Sequence, residues 1–212
     1  MADRLLTETN IPEQFRTALY GDYIIDDDGG DPRILKQLIE WDPSPKKPSL
    51  LMYGKPGLGK TLLACATLNE YQSQFRPPNG VDDSVITVLR QERFPVYFVQ
   101  LAEWVGLQIR SFGLQKEATA GIRDPTEYLE IDQLLQDLMR RVQMLVVDDV
   151  GKEHTTATGF AQDAFDLLVR TRHNRGLWTI YTSNVPLSQW SAQYSDSMQS
   201  LIRRSSLVLK FR

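Results

Sequence analysis

The chain has 212 residues, 42% of them hydrophobic, which is enough for one full core and too few for two ordinary domains. A formal net charge of -3 and a pI near 5.5 exclude a global positive field for nucleic acid or anionic membrane, so any DNA contact must be local. A single cysteine, Cys65, excludes a disulfide framework; the absence of a basic-then-apolar start or a membrane-length apolar run points to a cytoplasmic protein with no membrane partner.

In chain order, Asp31 and Pro32 form an N-cap and first helical residue, and Ile34, Leu35, Leu38, Ile39 and Trp41 follow at helical spacing until Pro43, Pro45 and Pro48. The apolar run Leu50 to Tyr53 predicts a strand. After it come Gly54-Lys55-Pro56-Gly57-Leu58-Gly59-Lys60-Thr61, and then Leu62 to Ala66 with good helix propensity. The segment from Arg76 to Arg93 reads as loop. Pro95 to Gln100 predicts a second strand, leading into a helix that carries Leu101, Trp104, Val105, Leu107 and Ile109. Asp124-Pro125-Thr126-Glu127 opens another helix with Leu134, Leu135 and Leu138 on one face. Met144 to Asp149 is four apolar residues ending in two carboxylates, as expected of a buried parallel strand. Phe160, Ala164, Phe165, Leu167 and Leu168 mark a helix ended by His173-Asn174-Arg175-Gly176, and Leu177 to Tyr181 is a fourth strand. A short helix, Ser197 to Ile202, precedes a last strand at Leu207 to Leu209. Trp41 and Trp104 read as core, and His154 and His173 as loop residues. Strands alternating with helices call for a parallel sheet covered on both faces, with the ligand at the strands' C-terminal ends.

Residues 54 to 61 fit GxxxxGK[ST], a glycine-rich loop whose backbone N–H groups converge on phosphates at a helix N-terminus. In that pattern Lys60 bridges the β and γ oxygens and the Thr61 hydroxyl ligates Mg²⁺. The nucleotide-binding set is thus Gly54, Lys55, Pro56, Gly57, Leu58, Gly59, Lys60, Thr61 and Leu62, with a nucleoside triphosphate and Mg²⁺ as ligands; the resemblance given below makes the triphosphate ATP. Asp148 is placed to hold the metal with Thr61. Asp149 or Glu153 is the base for an attacking water. Thr182-Ser183-Asn184 follows the fourth strand, with Asn184 as a polar sensor of the γ-phosphate; turn chemistry before Pro186 also accounts for it. Arg203 and Arg204 either complement a helix dipole or form an arginine finger for a neighbouring subunit. Arg110, Lys116 and Arg123 with Phe112 could track single-stranded DNA, but they are sparse and mixed with Glu117 and Asp124, which favours a solvated helix end.

The series GKPGLGKT, LVVDDVGKE, a helix ending RHNRG, TIYTSN and IRR before a closing strand resembles the AAA+ ATPases of the DnaC-type helicase loaders, and the IstB-type transposition helpers share it. Ile11-Pro12-Glu13-Gln14-Phe15-Arg16 is similar to the segment such proteins place ahead of the nucleotide core. The resemblance implies a P-loop NTPase of AAA+ type, an α/β fold with a parallel five-stranded sheet, helices on both faces and no C-terminal helical lid. Residues 1–48 would be an N-terminal segment flanking the nucleotide site and residues 49–212 the ATPase core. It assigns Asp148 to the metal, Asn184 to the first sensor and Arg203, then Arg204, to the finger; Arg172 matches a family arginine. The implied function is an ATP-hydrolysing helicase loader acting in DNA replication, a nucleotide-dependent homo-oligomer with single-stranded DNA and a replicative helicase as partners. The alternatives are a transposition helper that partners a transposase, a small-molecule kinase, and a nucleotide-gated adaptor without turnover. Many AAA+ ATPases have Glu where this chain has Asp149.

Overall fold

A computed structural model describes residues 9–25, 30–44, 46–74, 80–93, 95–152 and 159–212. The helix α1 (Pro32–Ile39) starts as its sequence dictates, with Pro32 in the first turn and the Asp31 carboxylate accepting from the Arg33 N–H. Next come β1 (Ser49–Tyr53), α2 (Lys60–Ser73), α3 (Asp83–Arg93), β2 (Val96–Gln100) and α4 (Leu101–Thr119). The chain continues through α5 (Thr126–Arg140), β3 (Met144–Val150), α6 (Phe160–Asn174), β4 (Trp178–Ser183), the single turn α7 (Trp190–Gln193), α8 (Asp196–Ser205) and β5 (Ser206–Lys210).

All strand pairings are parallel, and the strands lie in the order β2-β3-β4-β1-β5. The sheet is buried on both faces, and the pleat sorts its side chains. Leu51, Val99, Leu145, Val147 and Tyr181 join α4, α5, α6 and α8 in one core; Leu50, Met52, Phe98, Val146 and Ile180 join α1 and α2 in the other. Ile11, Ala18 and Tyr23 belong to this second core, so the chain ahead of α1 is packed against α2.

Several local expectations change. The polar stretch read as loop contains α3 from Asp83 to Arg93. His173 sits in the last turn of α6 instead of a loop, and Trp41 is half-buried at the edge of its core. Arg110 and Lys116 lie along α4, with Arg110 paired to Glu127 and Arg123 beside both Glu117 and Glu127. The two arginines are engaged with carboxylates, in keeping with a solvated helix end.

Arg172 is a fully buried cation that forms no ion pair with an acid among the described residues. Its guanidinium donates to the Leu138, Val142 and Trp178 carbonyls at 2.6, 2.9 and 2.6 Å and to Thr179 Oγ1 at 2.9 Å. It thereby ties the end of α5 to the start of β4, and burial pulls its pKa down to about 9.

Candidate nucleotide site

The loop that leaves β1 is shaped by two glycines. Gly54 has φ 154, and a Cβ there would lie 2.3 Å from the Phe211 carbonyl oxygen; Gly59 has φ 79, with Tyr23 ring carbons 2.9 and 3.0 Å from a notional Cβ. Lys60 begins α2, its side chain folding back so that Nζ donates to the Gly54 and Lys55 carbonyls at 2.9 and 2.6 Å. Burial lowers the Lys60 pKa, and Asp149 and Asp148 partly restore it.

Opposite the loop, the ladder between β3 and β4 slips. Val147 pairs with Tyr181 but Val150 pairs with Ser183, so Asp148 and Asp149 together oppose Thr182. This is a β-bulge, and Asp149 occupies the left-handed region at φ 58, which Asp tolerates better than most residues. In an unbroken pleat consecutive carboxylates would point to opposite faces of the sheet. The inserted residue lets both serve the same edge.

Thr182 organises the pair. Its hydroxyl donates to Asp148 Oδ1 at 2.5 Å and accepts from the Asp149 N–H at 3.0 Å. The Thr61 hydroxyl reaches the same Asp148 oxygen at 2.9 Å, joining the phosphate loop to β3. Asp148 is buried, and desolvation raises its pKa although the Thr182 and Thr61 hydrogen bonds oppose that. Asp149 receives Lys152 Nζ at 2.9 Å on Oδ2 and Asn184 Nδ2 at 3.4 Å on Oδ1. Asn184 is held by its neighbour: the Ser183 hydroxyl donates to the Val150 carbonyl at 2.6 Å and accepts from the Val185 N–H at 3.0 Å.

Lys60, Thr61, Leu62, Asp149 and Asn184 line one cavity of about 350 Å³, together with Pro56, Gly57 and Gly59 of the loop. Phe15 and Lys152 complete its wall. The sequence placed Phe15 in the segment flanking the nucleotide site and Lys152 in the LVVDDVGKE series but gave neither a contact there, nor Thr182 its organising part; an aromatic residue far upstream carries no local signal of that role. Leu58 packs against the second core, outside the cavity wall. Glu153 lies outside the described residues. Arg203 and Arg204 end α8 just before Ser206, which pairs with Ser49 at the start of β1. The phosphate loop leaves the other end of β1, roughly 13 Å away along the strand, so these arginines stand at the opposite sheet edge from their own loop.

A parallel sheet with a phosphate loop after one strand and an acidic end on the strand two places away is the arrangement of the P-loop NTPase fold. Solved structures that are similar to this chain include replication proteins. The DnaC helicase loader superposes with a TM-score of 0.60 at 19% identity, covering 95% of this chain and 100% of that one. DnaI gives 0.59 at 20% identity, covering 95% and 94%. The replication initiator DnaA bound to AMPPCP and single-stranded DNA gives 0.58 at 14% identity, covering 95% of this chain and 51% of that one. At such identities the likeness is one of fold. No family profile matches the chain, and no curated protein matches it in sequence.

Proposed function

We propose that this protein binds and hydrolyses ATP with Mg²⁺ and acts as a helicase loader in DNA replication, assembling as a homo-oligomer on single-stranded DNA and a replicative helicase. The observation that carries the ATPase reading is the hydrogen bond from Thr61 to Asp148, which brings the loop hydroxyl and the strand carboxylate to one point beside Lys60. A hydroxyl and a carboxylate are hard oxygen donors that suit Mg²⁺. No group of three or more His, Cys, Asp or Glu side chains able to hold a metal occurs among the described residues. That fits an ion taken up with substrate phosphates and water through one or two protein ligands. When bound, the ion neutralises charge on the phosphate oxygens.

The chain's own groups then divide the work. Backbone N–H groups of residues 57 to 61 and the Lys60 ammonium hold the phosphates, the ammonium exchanging its two carbonyl partners for phosphate oxygens. Thr182 fixes the direction of the Asp148 carboxylate. Asp149, held in place by Lys152, accepts the proton of the attacking water while Asn184 orients the same water; Glu153 is the alternative base. Arg203 serves the nucleotide of an adjoining subunit, since its own lies across the sheet. The replication role rests on likeness to the loader and initiator folds, and the single-stranded DNA partner on the DnaA structure that holds it.

The deciding measurement is ATP turnover with and without single-stranded DNA across a range of protein concentrations. A loader hydrolyses faster as concentration and DNA rise. Turnover flat in both variables removes the loader and the finger together, and calorimetry without heat on adding ATP removes the site itself.

A further inference from the structure

A second cavity, of about 340 Å³, opens at the far end of α2. Met144 and Trp178, the first residues of β3 and β4, line it, so it lies at the N-terminal edge of the sheet. Lys60 and Tyr71 are eleven residues apart on α2, which places this opening roughly 16 Å along the helix axis from the nucleotide site. Four aromatic side chains line it: Tyr20, Trp41, Tyr71 and Trp178, with Tyr71 and Trp178 edge-to-face at 5.1 Å. The charged residues in its wall are Asp42 and Glu70 alone. Neither is in an ion pair with a cation among the described residues. The Trp41 indole Nε1 is buried without a hydrogen-bond acceptor. An adjoining opening of about 320 Å³ shares Trp41 and Asp42 and adds one acid and one cation, Glu40 and Lys47, so the groove continues past one side chain with its acidic excess kept, and Ile39 at its rim is 60% exposed.

We infer that this groove recognises an arginine-bearing extended segment of a partner protein. Aromatic faces and uncompensated carboxylates attract a cation, and a guanidinium plane stacks on such rings while donating to both acids. The apolar rim at Ile39 receives the aliphatic stem. Phosphate-bearing ligands are disfavoured by Asp42 and Glu70, which separates this surface from the nucleotide site chemically as well as in space.

The test uses the full ¹⁵N-labelled chain titrated with acetyl-Gly-Arg-Gly-amide and, separately, with the same peptide carrying neutral citrulline. The indole N–H resonance assigned to Trp41 through Trp41→Phe is expected to shift saturably with the arginine peptide and not with citrulline. Asp42→Asn with Glu70→Gln, both exposed and so tolerant of change, is expected to weaken the response about fivefold or more while ATP binding stays unaltered. Equal shifts with citrulline, or an unchanged response in the double variant, would overturn the inference. A resonance that moves on concentrating the protein without peptide would also overturn it, assigning the groove to a second copy of the chain.

Discussion

Asp148 is the residue at which stability and chemistry oppose one another. Its pKa is raised, chiefly by burial, so the folded state favours the neutral acid. The sign follows from linkage: the folded protein holds its proton to higher pH than the unfolded chain does, so Asp148 detracts from stability as pH rises from the unfolded through the folded pKa. Asp148→Asn therefore unfolds at an equal or higher temperature near neutral pH, with the amide oxygen still accepting from Thr61 and Thr182. The same variant loses Mg²⁺-dependent turnover on the order of 100-fold, because the ion needs the anionic oxygen. Thermal melts across pH paired with turnover check this, and a variant that both melts lower and keeps turnover contradicts it. Lys60→Ala removes the cation from the loop and is expected to abolish ATP binding by calorimetry. Asp149→Ala keeps binding and loses turnover if Asp149 is the base; unchanged turnover shifts that role to Glu153.

At the level of elements, the bulge on β3 makes its own prediction. Asp149→Val places a β-branched side chain at φ 58 and costs about 1–3 kcal/mol in denaturant unfolding, whereas Asp149→Gly relieves the backbone and loses only chemistry. A Gly variant as unstable as the Val one would show that side-chain contacts, not backbone strain, matter there. Arg172→Ala leaves three carbonyls and a hydroxyl without their donor and is expected to cost roughly 3 kcal/mol or more, with Arg172→Lys unable to restore the fork. Much of this architecture was legible in the residues: the phosphate loop after Tyr53, the acidic end of β3, the cap at Asp31 and the cations closing α8 all have local signatures. The helix α3 was not: Val85, Ile86, Val88 and Leu89 recur at helical spacing, but three of the four are β-branched and charged or polar residues crowd both flanks, so the segment read as loop. Nor was the strand order, since parallel neighbours are set by crossovers and not by adjacent sequence. Asp149's extra place in β3 was hidden too: two adjacent carboxylates read the same whether the strand slips or runs true.

For the molecule as a whole, Arg203 and Arg204 face away from the loop they would serve, so activity is expected to be a property of assemblies. Mixing Lys60→Ala protein, which retains the arginine, with Arg203→Ala protein, which retains the loop, should recover part of the turnover each lacks alone. No recovery at any ratio, with both variants folded, rules out sharing between subunits. The chain ahead of the core has a different duty. The Phe98 N–H of β2, the outermost strand on its side, donates to the Thr9 carbonyl at 2.9 Å, and the Asn10 side chain returns a bond to the Phe98 carbonyl at 2.9 Å. These bonds satisfy peptide groups that would otherwise offer a template to another chain. Trimming the protein to start after Asn10 is thus expected to impair solubility while the cavity at the phosphate loop keeps its lining, a hazard for anyone shortening it to a minimal core.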